Sequence, residues 1–118
     1  YPDQVETVRM KHILFDLKGC PFELLDDEQH IKITLYKVVP ETKSELLHLQ
    51  THKFEPQGVT GFALLAESHI SIHTWPEDGI ARCDIFTCGD ECEPEKAVEY
   101  LTEKLEAKST SVQSYERV

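Results

Sequence analysis

The chain has 118 residues, of which 40% are hydrophobic and 29% charged, with a formal net charge of −10. A chain of this length buries one core, and 22 acidic against 12 basic residues argue against binding a nucleic-acid backbone, which needs a basic face to displace counterions. The longest apolar run, Phe62-Ala63-Leu64-Leu65-Ala66, falls far short of the roughly 20 residues that cross a bilayer. No leader-like segment is read at the start and no Asn offers a glycosylation site, so a cytoplasmic protein without membrane contact is expected.

Residues 12–17 read as a first strand, ending near the turn signal Gly19-Cys20-Pro21. Ile31, Leu35, Val38 and Val39 then fall on one face of a helix that Asp26 or Asp27 caps and Pro40 stops. Residues 44–54 look extended. After the turn at Gln57-Gly58, the almost wholly apolar run 59–66 suits a strand buried on both faces. Residues 70–74 alternate and are β-branched, residues 82–87 alternate again, and Glu93-Pro94 opens a second helix with Ala97, Leu101 and Leu105 inside. Seven acids and two lysines in residues 89–106 are its solvated face. A last strand covers 111–115.

The order β-α-β-β-β-β-α-β predicts an α+β fold: a two-layer α/β sandwich, mainly antiparallel, with two helices on one face of the sheet. A single domain over residues 1–118 is expected. The uncovered face calls for a partner surface, for which a second copy of the chain is the natural choice.

Four cysteines, Cys20, Cys83, Cys88 and Cys92, are too few for a disulfide scaffold and read as free thiols. No metal site is expected. His69 and His73 are four apart on a strand, about 13 Å, which zinc–nitrogen bonds of about 2.0–2.1 Å cannot bridge. The densest concentration of reactive side chains is Glu67-Ser68-His69 with His73 nearby, and a Ser68–His73 nucleophile–base pair is one reading of it. A turn serine and hydrogen-bonded strand histidines are the other.

The segment Ala66-Glu67-Ser68-His69-Ile70-Ser71-Ile72-His73-Thr74-Trp75-Pro76-Glu77 resembles the self-cleavage site of the prokaryotic S-adenosylmethionine decarboxylases. The similarity extends upstream to Phe54-Glu55-Pro56-Gln57-Gly58-Val59-Thr60-Gly61 and downstream to Asp84-Ile85-Phe86-Thr87-Cys88-Gly89. The resemblance implies a proenzyme cut between Glu67 and Ser68, the Ser68 hydroxyl attacking the Glu67 carbonyl and position 68 ending as a covalent pyruvoyl group. It implies His73 as the processing base and Thr60, where the family usually has Ser, as a donor to the oxyanion. Cys88 matches the family's proton donor, whereas Cys83, an odd number of residues away, falls on the other face of the strand. The pyruvoyl carbonyl would form a Schiff base with the substrate amine and act as an electron sink.

Phe54 corresponds to an adenine-stacking aromatic and Glu77 to a ribose-binding carboxylate, and Trp75 lines either the pocket or the core. The resemblance also implies a homodimer with sites at its interface. Where the family often carries aromatics after Trp-Pro-Glu, this chain has Asp78-Gly79-Ile80. The expected activity is decarboxylation of S-adenosylmethionine to the aminopropyl donor for spermidine synthesis. The same machinery acting on L-arginine or L-ornithine is one alternative, and an unprocessed, non-catalytic binding homologue is another.

Overall fold

The computed structural model describes residues 9–89 and 91–117; the expectation of a domain over residues 1–118 reaches beyond these at both ends and at position 90. Six strands make one sheet: β1 (Met10–Lys18), β2 (Leu46–Lys53), β3 (Val59–Leu65), β4 (Ser68–Trp75), β5 (Ile80–Cys88) and β6 (Ser109–Arg117). Their order is β2-β3-β4-β5-β1-β6, every neighbouring pair antiparallel. Helices α1 (Phe22–Leu25), α2 (Glu28–Glu41) and α3 (Glu95–Lys104) complete a two-layer α/β sandwich. The one-turn α1 and a 3₁₀ turn at Pro76–Asp78 are additions to the expected order.

Local chemistry explains the boundaries. Asp27, not Asp26, caps α2, its carboxylate accepting the His30 backbone N–H at 3.1 Å. Asp26 instead accepts the Gly58 N–H at 2.8 Å and pairs with Lys53 at 3.1 Å, which holds its carboxyl below the usual range, the Gly58 bond contributing most. Pro40 does not stop α2 where expected. Helix α2 continues to Glu41, because the missing proline N–H costs only its own bond while Thr42 and Lys43 still donate back to the Val39 and Pro40 carbonyls.

The core lies between the helices and one face of the sheet. Ile13, Phe15 and Leu17 of β1, Ile70 and Ile72 of β4 and Ile85 of β5 meet Ile31, Leu35 and Val38 of α2 and Leu101 of α3, all essentially inaccessible. Each such side chain contributes about 1.5–3 kcal/mol on burial. Gly61 lets α2 approach β3: a Cβ there would lie 2.8 Å from Leu35 Cδ1. Gly79, at φ +67°, turns the chain from the 3₁₀ turn into β5 in a conformation that L side chains rarely adopt.

Strand β3 corrects one expectation. It is not buried on both faces: Val59, Gly61, Ala63 and Leu65 are buried, whereas Phe62 and Leu64 point to the open face at 39% and 45% exposure. Its apolar run combines a core face with an uncovered apolar face. Strand β6 forms one edge of the sheet and is exposed throughout, meeting α3 where the Thr110 and Thr102 hydroxyls lie 3.2 Å apart.

Candidate active site on the open face of the sheet

Register arranges the open face in three rows. The first runs Leu64, His69, Phe86, His12, Tyr115; the second Phe62, Ser71, Asp84, Leu14, Gln113; the third Thr60, His73, Arg82, Asp16, Ser111. The expected site residues divide between the two ends of the sheet.

At the first end, β3 turns into β4 through Ala66 and Glu67, with Leu65 opposite Ser68. Glu67 is left-handed at φ +66°, a conformation that carries strain for a residue with a Cβ, and the Ala66 N–H is tied to the Glu45 carbonyl at 3.0 Å. Ser68 is 7% exposed, and its hydroxyl is buried without a hydrogen-bond partner. Unsatisfied buried hydroxyls are uncommon, because each forfeits about 1–3 kcal/mol of desolvation. The β4–β5 register ends at His69 opposite Phe86, and Cys88, two residues beyond Phe86, lies toward the same end of the sheet. Cys88 is half-buried on the open side, while Cys83 lies in the core with its thiol pushed well up, chiefly by burial. All four cysteines are free thiols. A cleft of about 560 Å³ opens at this end, lined by His12, Leu64, Glu67, Ser68, His69, Phe86 and Arg117 among others.

At the opposite end, Thr60 Oγ1 and His73 Nδ1 lie 3.1 Å apart across β3 and β4. Trp75 is next along the same face, its ring centroid 6.4 Å from that of His73, with the Arg82 guanidinium 5.9 Å above it. Arg82 also pairs with Asp16 at 2.8 Å. Phe54 follows β2, exposed, and packs edge-on against His52 at 4.5 Å. Glu77 is exposed on the 3₁₀ turn.

Within one chain, therefore, Glu67, Ser68 and Cys88 gather at one end and Thr60, His73 and Trp75 at the other. Ser68 and His73 are not brought together. Five residues of extended strand separate them by about 17 Å, and they face opposite sides of the sheet. The nearness of the two in sequence does not make them a pair.

One cluster escaped the sequence reading. Asp84 Oδ2 receives His12 Nε2 at 2.7 Å and His69 Nε2 at 2.9 Å, while Ser71 donates its hydroxyl to Oδ1. Burial by itself would raise the Asp84 carboxyl, but the bonds from His69, Ser71 and His12 outweigh it and hold the group far below the usual carboxylate range. His69 moves the other way: its bond to Asp84 raises the imidazole against the opposing pull of burial. Among the described residues these three side chains alone bring metal-type ligand atoms within 4.8 Å of one another. Both Asp84 oxygens already accept hydrogen bonds within the cluster. The alternation of His69 and Ser71 was a signal that both face one side, but His12 and Asp84 are 72 residues apart and meet only through register.

Fold and site together define a small α/β enzyme whose reactive side chains gather at the two ends of its sheet. The family model described as S-adenosylmethionine decarboxylase matches residues 11–118. An S-adenosylmethionine decarboxylase proenzyme of Prochlorococcus marinus (strain MIT 9313) is 50% identical over 107 residues, 91% of this chain and 86% of that protein. The corresponding proenzyme of Methanococcus maripaludis is 46% identical over 91% of this chain and 88% of its own length. The crystal structure of the adenosylmethionine decarboxylase from Aquifex aeolicus VF5 superposes with a TM-score of 0.86 at 37% identity, covering 95% of this chain and 92% of that one. The chain belongs to the S-adenosylmethionine decarboxylase family.

Proposed function

We propose that this chain is a single-domain proenzyme that cuts itself between Glu67 and Ser68 and then decarboxylates S-adenosylmethionine. The observation that carries the reading is the Ser68 hydroxyl, buried and unpartnered directly after a left-handed residue. A hydroxyl engaged in structure would have a partner; one kept free beside its own preceding carbonyl is available for attack. Attack joins Ser68 Oγ to the Glu67 carbonyl carbon, the C–N bond between the two residues breaks, and the hydroxyl proton passes to the freed Ser68 amine. Elimination then takes the Ser68 α-proton, breaks the Cβ–Oγ bond and releases the Glu67 carboxylate. The enamine left at position 68 shifts a proton from nitrogen to Cβ to become an imine; water then replaces its nitrogen, and ammonia leaves.

The pyruvoyl group so formed supplies a carbonyl that withdraws electrons from the substrate amine's α-carbon as carbon dioxide departs. Cys88, toward the same end of the sheet as the junction, would hold the proton returned to that carbon. Phe54 and Trp75 offer exposed aromatic faces to an adenine, and Glu77 a carboxylate to a ribose.

His73 and Thr60 cannot serve the Ser68 of their own chain, so the functional unit is a homodimer in which the second copy supplies them. The open face supports this: Leu14, Phe62, Leu64, Trp75 and Tyr115 are all more than a third exposed on it. Two such faces packed antiparallel cover these side chains and bring the His73 end of one sheet to the cleft that Glu67, Ser68 and His69 line at the end of the other.

Denaturing mass spectrometry of fresh and aged protein tests the first step. Two fragments are expected, one ending at Glu67 and one beginning with a pyruvoyl-blocked position 68. Carbon dioxide release from S-adenosylmethionine, and not from arginine or ornithine, is expected of the cut protein. A chain that stays whole and releases none from any of the three overturns the reading.

A further inference from the structure

We propose that Asp84, acting through His69 and His12, is a positioning group for the self-cleaving junction. The inference rests on the self-processing reading and assigns residues that play no part in it above.

Ser68 has no hydrogen bond to orient its hydroxyl, so its aim depends on the backbone to either side. On one side is the left-handed Glu67. On the other, β4 becomes paired to β5 only at His69, so Ser68 sits one residue outside the last β4–β5 pair. Ser68 is paired to Leu65 on the β3 side, and on the β5 side a side-chain brace takes the place of backbone pairing. His69, the first residue after the junction, is pinned by its ring to Asp84 of β5 at 2.9 Å. His12 of β1 reaches the same carboxylate oxygen from the far side at 2.7 Å, and Ser71, also of β4, holds the other oxygen. Asp84 thereby ties β4, β5 and β1 together just below the scissile bond, and its oxygens are shared among three donors rather than left for a ligand. The Phe86 ring stacks on His69 at 6.0 Å and meets His12 edge-on at 5.6 Å, so one aromatic ring backs both imidazoles.

The brace acts on the first step, where Oγ must meet the carbonyl carbon of the preceding residue. Small misplacement at such a bond costs rate steeply, up to about 100-fold for about 1 Å. Later steps proceed on a released amine and an ester and are less demanding of this corner.

The test follows fragment appearance by mass in full-length protein expressed and kept cold, then warmed. Asp84→Asn and His69→Ala are expected to slow cleavage by about 10- to 100-fold. His69→Gln, whose amide N–H can reach the same oxygen, is expected to restore most of the rate. Hydroxylamine, which cleaves esters and spares amides under mild conditions, locates the block: the uncut Asp84→Asn chain should resist it. Near-ultraviolet circular dichroism of each substitution in a Ser68→Ala background separates loss of aim from loss of fold. Should Asp84→Asn unfold, the Ala and Gln variants of His69 decide.

Cleavage of Asp84→Asn or His69→Ala at the parent rate overturns the positioning role while leaving self-processing intact. So does accumulation of a hydroxylamine-sensitive chain, or His69→Gln as slow as His69→Ala. A parent chain that never cuts removes both.

Discussion

Thr74 offers a sharp test of how the sheet is tied to its first helix. Its buried hydroxyl accepts the Val59 N–H at 2.8 Å and donates to the Leu25 carbonyl at 2.8 Å, joining β4, β3 and the end of α1. Replacement by Val keeps the shape and the β-branching, so packing and strand propensity change little. What is lost is chemical: the N–H of Val59, a residue with no exposure, has no acceptor, at about 1–3 kcal/mol, and the Leu25 carbonyl loses a donor. Together these predict about 2–4 kcal/mol, a large part of the 5–15 kcal/mol that holds a typical domain folded. Thr74→Ser makes the opposite cut. It keeps the hydroxyl and removes one buried methyl, for about 1 kcal/mol. Urea unfolding reads both, in a Ser68→Ala background that keeps the chain whole and at one protomer concentration, so that two-state treatment holds. With a slope of about 1–3 kcal/mol/M, Thr74→Val should lower the midpoint by about 1 M or more, and by clearly more than Thr74→Ser, with unchanged slope. A Val variant as stable as the Ser variant would refute the hydrogen-bond argument.

The Asp84 cluster predicts a shaped pH dependence of stability. The Asp84 carboxyl is lowered on folding, so its contribution is full above about pH 3.9 and is lost as pH falls toward its folded value. His69 is raised, so its contribution is full below about pH 6.5 and is lost as pH rises through its folded value. The difference in urea midpoint between parent and Asp84→Asn, both with Ser68→Ala, should therefore be largest between about pH 4 and 6.5; a flat difference curve contradicts it. On the open face, Phe62→Glu places a charge where a second copy is expected to pack. It should convert a dimer to monomers by sedimentation velocity with the far-ultraviolet spectrum unchanged, and a dimer that persists rules that face out as the interface.

Fold and site were not equally legible, and the reasons are physical. The sequence of elements along the chain and the helix faces followed from local period, as at Ile31, Leu35 and Val38, because burial against one layer imposes that period directly. Asp27 as a cap was readable three residues from its partner, but the role of Asp26 was not, since it depends on Gly58, 32 residues on. The run around Phe62 and Leu64 misled because apolar side chains were equated with burial inside a single chain. Ser68 and His73 are close in sequence and were read together, although strand parity already places them on opposite faces. His12 and Asp84 could not be joined by any local rule; only the pairing of β1 with β5 does so.

The strand order has a consequence for a chain severed at the β3–β4 hairpin. The leading piece owns β1, β2 and β3, and the trailing piece β4, β5 and β6, yet the sheet does not divide into two blocks. Reading across it, two leading strands are followed by two trailing, then β1 of the leading piece is clasped between β5 and β6 of the trailing one. Three of the five interstrand seams thus cross between pieces. Parting them means unlacing β3 from β4 and pulling β1 out from between two neighbours, which dismantles the fold itself. A nick there would free two new ends at a rim while the weave holds both pieces as one body, so the pieces part only when the fold itself comes apart.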